Sequence, residues 1–340
     1  MIEQPQAFPS PTEDETPRPL RELQLRTARA LIAKELGAQQ LSALHKPNAF
    51  WDFISIAGSL ALFATCAMVL ARWPVHEPLW WLCLIVQGDL ILVMAFINHD
   101  AFAHRKLLPR RLRWIVSSLM VWPSQLRAAV YERMHATHHR ALGTELDSEA
   151  YKQDIDTPLR RFLYASPAAI VFRFVFLRGR TASVSFARAG ALPQASVDAS
   201  RERWERGTRI AVFASALLLL FVDWRIVVLG YVLPLVVVTP VFNTIRIVLE
   251  HFDLDRNNPL WVGTFYRSGP VSRLLFWFGA GDCHVVHHFY ANIPFYRIGR
   301  AVELMRPILV REGVYEQRSL LRLMMQWFSA SRAHWSVPPA

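Results

Sequence analysis

Hydrophobic positions in this chain gather into long runs separated by short polar breaks. A spanning helix needs about 20 mostly apolar residues. Phe53–Arg72 qualifies and is uncharged until its last residue. Leu79–Ile97 qualifies with one acid, Asp89, inside it. Ile210–Val222 is apolar but short, so it must borrow a turn from Trp204–Arg209 or tilt little. After Asp223-Trp224-Arg225 the chain is apolar again over Ile226–Leu249, interrupted by Pro234 and Pro240. These runs predict an all-α integral membrane protein with about four transmembrane helices in two hairpins. The tight turns are expected at Trp73–Pro78 and Asp223–Arg225. Trp114–Val121 and Phe162–Leu177 are too short or too interrupted, by Pro167 and Arg173, to span comfortably; they read as interfacial or packed on the soluble part.

The flanking segments divide the rest. Residues 1–19 hold four acids and five prolines without an apolar core, which predicts a disordered tail and no cleavable signal peptide. Residues 20–50 carry apolar positions at Leu20, Leu23, Ala28, Leu31, Ile32 and Leu36, a helical spacing. That helix lies along the membrane interface or packs on the cytoplasmic domain. Residues 51–300 form the membrane unit, and 301–340 a C-terminal cytoplasmic segment.

Composition agrees with the runs. The chain is 53% hydrophobic and only 19% charged, where soluble domains run nearer a quarter charged. Three cysteines, two of them in apolar runs, exclude a disulfide-built secreted domain. The net charge of +11 is unevenly placed. Asn98–Gly207 holds 18 Lys and Arg, whereas Trp73–Pro78 holds none and Asp223–Arg225 one. The positive-inside rule then puts both termini and the middle stretch on the cytoplasmic side. The excess charge suits anionic headgroups or an acidic electron carrier. Nucleic-acid binding lacks any supporting signature.

Twelve histidines complete the picture, and nine of them cluster: His99 and His104; His135, His138 and His139; His251; and His284, His287 and His288. With four crossings all nine fall on one side of the bilayer. One crossing more or fewer would scatter them. Each triplet has i, i+3, i+4 spacing, which shares a helix face. Imidazole suits iron, zinc, copper and nickel, and nine imidazoles exceed what one ion needs. A single HxxHH is equally a polar helix face; the repetition at membrane boundaries argues for metal. The pair His99/His104, at i, i+5, turns about 140° on an ideal helix. If both bind, the helix is distorted there, or each serves a different metal. His251 is the weakest of the nine, and Glu250 beside it is either a carboxylate ligand or a bystander. Asp100, Asp147 and Asp282 are placed to orient imidazole N–H groups.

The boxes His99-Asp-Ala-Phe-Ala-His104, His135-Ala-Thr-His138-His139 and His284-Val-Val-His287-His288, the last followed by Phe-Tyr-Ala-Asn-Ile-Pro-Phe-Tyr296, resemble those of the membrane fatty acid desaturase superfamily, hydroxylases and ketolases included. Arg246–His251 resembles the extra-histidine region before box three. The resemblance covers roughly residues 50–300. It implies a non-haem di-iron centre, O₂ as co-substrate, and electrons from an external donor, ferredoxin-like or cytochrome b5-like, with its reductase. No HPGG-type cytochrome b5 segment is present, which favours a separate ferredoxin-like carrier. The expected function is acyl-chain desaturation by an enzyme of the inner or cytoplasmic membrane. Hydroxylation or ketolation of a lipid, carotenoid or small substrate is the alternative. A His-rich metal carrier fits poorly, because transporters place polar ligands near the bilayer midplane.

Overall fold

The computed structural model describes residues 17–142, 147, 155, 157–169, 199–252, 258, 260, 262–267, 269 and 284–329. It is mostly helical. The elements in chain order are α1 (Pro17–His45), α2 (Ala49–Arg72), α3 (Pro78–Asn98) with a π turn over His99–His104, α4 (Arg110–Val121), α5 (Ala128–Ala141) and α6 (Pro158–Ala165). After them come α7 (Ala199–Val227), a π turn at Val228–Val232, α8 (Leu233–Val237), α9 (Thr239–His251), β1 (Phe265–Tyr266), α10 (His284–Phe289), α11 (Phe295–Arg311), β2 (Glu316–Gln317) and α12 (Leu320–Ser329). The two strands form a two-residue parallel pair, a small exception to an all-α reading.

Among the described residues, three helical runs are long and apolar enough to cross a membrane: Ala49–Arg72, Pro78–His104 and Ala199–His251. The first begins where Asn48 caps the backbone N–H groups of Phe50 and Trp51 with its side chain. Pro78 opens the second at a position where its missing N–H costs nothing. The third run covers both later apolar stretches of the sequence. Its helix starts at Ala199, well before Ile210, which supplies the length that the apolar stretch alone lacks. It breaks at Asp223, whose backbone is extended (φ −156°, ψ 95°). Phe213 and Tyr231 would stand roughly 27 Å apart on a straight helix. Both rings nonetheless contact Trp122, at 6.1 and 4.9 Å. The helix therefore does not run straight through Asp223, and Asp223 pairs with Arg72 at the end of α2, 2.8 Å away.

Breaks within an apolar slab leave backbone groups that need partners. Gln87, fully buried in α3, donates to the carbonyls of Phe63 and of Gly230, the latter inside the π turn. Thr239 donates to the carbonyls of Gly88 and Pro234, beside the proline-interrupted turn. Gly230 also allows close approach: a Cβ there would lie 2.9 Å from the Ala67 backbone of α2. On the outside, α7 keeps Phe213, Leu217, Leu218, Phe221 and Val222 exposed, the face a lipid-facing helix presents.

A second body of helices caps one end. Leu25, Ala28, Ile32, Leu36 and Leu44 of α1 are buried with Val285, Val286 and Phe289 of α10 and with Ile298, Val302, Met305 and Leu309 of α11. From Leu25 onward the apolar positions of the N-terminal helix are thus covered by protein. The expected boundaries shift with it. Residues 17–19 already belong to α1, position 50 to α2, and a border at 300/301 would cut through α11. The rest of the expected disordered tail, residues 1–16, lies outside the described residues. The stretch 114–121 forms most of α4 and packs on protein, with Trp114, Met120 and Val121 buried.

Candidate metal centre

Nine imidazoles converge where the cap meets the ends of the apolar helices, in two groups. His99, His104, His135, His139 and His287 form the first; His138, His251, His284 and His288 form the second. Within each group the potential ligand atoms lie within 4.8 Å of one another. Seven of the nine are buried, and His104 and His139 are half-buried.

Helix geometry explains the division. On α5, His135 and His139 are about 40° apart in projection, whereas His138 stands about 100° from His139. His135 and His139 face the first group and His138 the second. On α10 the assignment is reversed, with His284 and His288 in the second group and His287 in the first. Each triplet thus lends one ring across to the other group. In box one the expected distortion takes the form of a π turn, closed by the Arg105 N–H bonding to the carbonyl of Asp100 five residues back, 3.2 Å. It brings the Nε2 atoms of His99 and His104 to 2.9 Å.

The Nε2 atoms face each other throughout. His99 and His135 are 2.5 Å apart, and His139 and His287 2.9 Å. His251 is 3.0 Å from His138, 2.7 Å from His284 and 3.3 Å from His288. A metal with bonds of about 2.0–2.1 Å to nitrogen holds neighbouring ligand atoms about 2.9–3.3 Å apart. Burial, reinforced by the neighbouring imidazoles, holds His139, His287 and His288 well below the usual imidazole value, hence neutral. Asp147 Oδ1 is 2.8 Å from His138 Nδ1, which places the N–H there and leaves the lone pair on Nε2. Crowded lone pairs repel; a cation at the centre of each group makes them ligands. The donor set therefore fits transition-metal ions, which the group of five imidazoles and the group of four would hold.

The carboxylates divide. Asp147 meets the His138 ring. Asp100 instead binds Arg105, whose guanidinium also pairs with Asp52 of α2 at 2.7 Å. The backbone N–H of Phe295 reaches Asp100 as well. Asp100 thereby ties box one to α2 and to the segment after box three. Glu250 accepts from Arg246 Nε at 2.6 Å, one turn back on α9. Asp282 lies outside the described residues.

Sequence reasoning missed several supports. Gly263 slots between α9 and α10; a Cβ there would stand 3.1 Å from Val285 N and 3.2 Å from Glu250 O. Thr264 next to it donates its N–H to Glu250 O and receives the Phe252 N–H on its hydroxyl, which pins the end of α9 that carries His251. Neither residue bears a chemical signal in one sequence. Tyr296 accepts from Asn48 N at 2.6 Å, joining the segment after box three to the start of α2. Ser117 of α4 donates to Asn98, which precedes His99.

A comparison with curated proteins finds no match. Residues 78–319 match the family model described as fatty acid desaturase. That span begins at α3 and takes in all nine imidazoles. The match covers more than half of the sequence, and the apolar helices suit a membrane protein. The chain belongs to the fatty acid desaturase family.

Proposed function

We propose that this protein is a membrane-bound non-haem di-iron oxidase that uses O₂ and external electrons to desaturate an acyl chain. The observation that carries the reading is the pair of buried imidazole groups, five and four, side by side. Family membership supports lipid oxidation by such a centre. His99, His104, His135, His139 and His287 would hold one iron, and His138, His251, His284 and His288 the other. When bound, the irons supply the O₂-dependent oxidising power that acid–base side chains lack. The protein's part is positional. Asp147 fixes the His138 tautomer, the Asp52–Arg105–Asp100 network sets the π turn of box one, and the cap excludes water from the rings.

The proposed topology has four crossings in two hairpins, the second turning at Asp223. It places both termini and the metal centre on the cytoplasmic side of the inner membrane, with a separate electron carrier docking there. Protein purified from iron-replete cells is expected to carry one iron in each group. Expression with a ferredoxin and its reductase, followed by mass spectrometry of lipids, is expected to show acyl chains lighter by two hydrogen atoms. Gain of one oxygen atom instead would make it a hydroxylase. Absence of any redox-active metal would end the di-iron reading.

A further inference from the structure

Two short helices at the edge of the cap carry their polarity inside out. In α6 the charged Arg161 is 0% exposed, while Leu159 and Phe162 are 66% and 62% exposed. Arg161 donates from Nε to the carbonyl of Ile155 at 3.2 Å and also bonds the carbonyl of Trp327. Its guanidinium stands 5.6 Å from the Trp327 ring centre. Trp327 belongs to α12, where Leu323 and Trp327 face inward. Leu321, Met325 and Phe328 face outward instead, spaced i, i+4, i+7 along one stripe. The two helices pack on each other and on α9. Asn243 of α9 donates to the Tyr164 hydroxyl of α6 at 2.9 Å. Leu323 and Trp327 share a buried cluster with Ile247 and Val248 of α9.

That placement decides what the stripe meets. The helix α9 ends the run Ala199–His251, which holds a stretch long and apolar enough to cross a membrane, so α6 and α12 stand beside the end of that run. In water, burying a guanidinium while exposing five large apolar side chains is unfavourable on both counts. With hydrocarbon outside, the exposed side chains become favourable. Arg160 and Arg322, both exposed, flank the stripe where an anionic leaflet offers its headgroups. We propose that α6 and α12 form a monotopic lipid-binding surface at the headgroup–acyl boundary of an anionic leaflet, with Leu159, Phe162, Leu321, Met325 and Phe328 immersed. The inference needs the chain to sit in a membrane but not the oxidase chemistry, so the iron assay and this one fail separately.

The test places spin labels one at a time through Phe162→Cys and Met325→Cys, with Cys66, Cys83 and Cys283 replaced by Ala. The full chain is reconstituted in phosphatidylcholine–phosphatidylglycerol vesicles. Both labels are expected to collide with O₂ and to be shielded from a water-soluble nickel chelate. A label at Glu303→Cys, on the exposed face of α11, is expected to show the reverse. Nickel access at both test positions overturns the proposal, and so does shielding from both quenchers, which means that protein covers the stripe. The unaltered chain gives a second reading. Photolysis of a phosphatidylglycerol with a diazirine in its acyl chain is expected to label peptides from both helices. Absence of label from both overturns the proposal as well.

Discussion

At the scale of single residues, the division of labour inside each histidine triplet is the main result. The motif HxxHH places three imidazoles on one helix face, and its spacing predicts a shared site. The structure sends His138 and His287 to the group opposite their neighbours. Their roles are therefore separable. Asp147 contacts the four-imidazole group through His138. Asp147→Ala is expected to weaken metal at that group about 10–100-fold and to leave the five-imidazole group unchanged. A chelator titration followed by iron analysis checks this. Two separated release steps are expected, against closely spaced ones in the parent protein. Equal weakening of both metals would contradict the division. His138 and Asp147 were both legible as candidates in the sequence. Their contact was not, because spacing alone does not show which acid meets which ring.

At the scale of elements, the site depends on how helix ends are held. The third histidine box is a short helix that cannot hold its own orientation, since most helical stability comes from packing. Gly263 permits it to approach the end of α9. Gly263→Val is expected to push α10 away from His251, with loss of iron from the four-imidazole group and little change in the apolar helices. Iron content together with circular dichroism in detergent distinguishes this from general unfolding. Gly230 makes the parallel case within the apolar helices. Its Cβ would meet the Ala67 backbone, so Gly230→Val is expected to cost about 1–3 kcal/mol through overpacking. A lowered thermal midpoint in detergent, with iron content at room temperature unchanged, checks it. Apolar runs in the sequence predict such helices. They do not show which glycines face another backbone.

For the whole molecule, the fold stores neutral imidazoles in a buried place, and this links stability to pH. His139, His287 and His288 are held below the usual imidazole value of about 6.5, so the folded apoprotein resists protonation where the unfolded chain accepts it. Stability is expected to be level above that pH and to fall as pH drops below it. Metal binding adds to the slope, because protons compete for the same nitrogens. Thermal melts of metal-free protein between about pH 8 and pH 5.5 check this, and a midpoint independent of pH over that range would contradict it.

The sequence alone showed apolar runs suited to a membrane and a set of imidazoles suited to metal. Runs such as Phe53–Arg72 cannot be hidden in a small soluble core, and nine clustered histidines have few uses other than metal. Both are local properties, readable from residue type and spacing. Tertiary structure decided what depends on residues distant in the chain. It covered the stripe of α1 with α10 and α11, turned Asp100 toward Arg105 rather than toward an imidazole, and split five rings from four. It also exposed Phe162 while burying Arg161. The physical reason is the same in each case. Which side chain is buried, and against what, is set by the packing of whole helices, and periodicity along one helix specifies a face without naming the surface that will meet it.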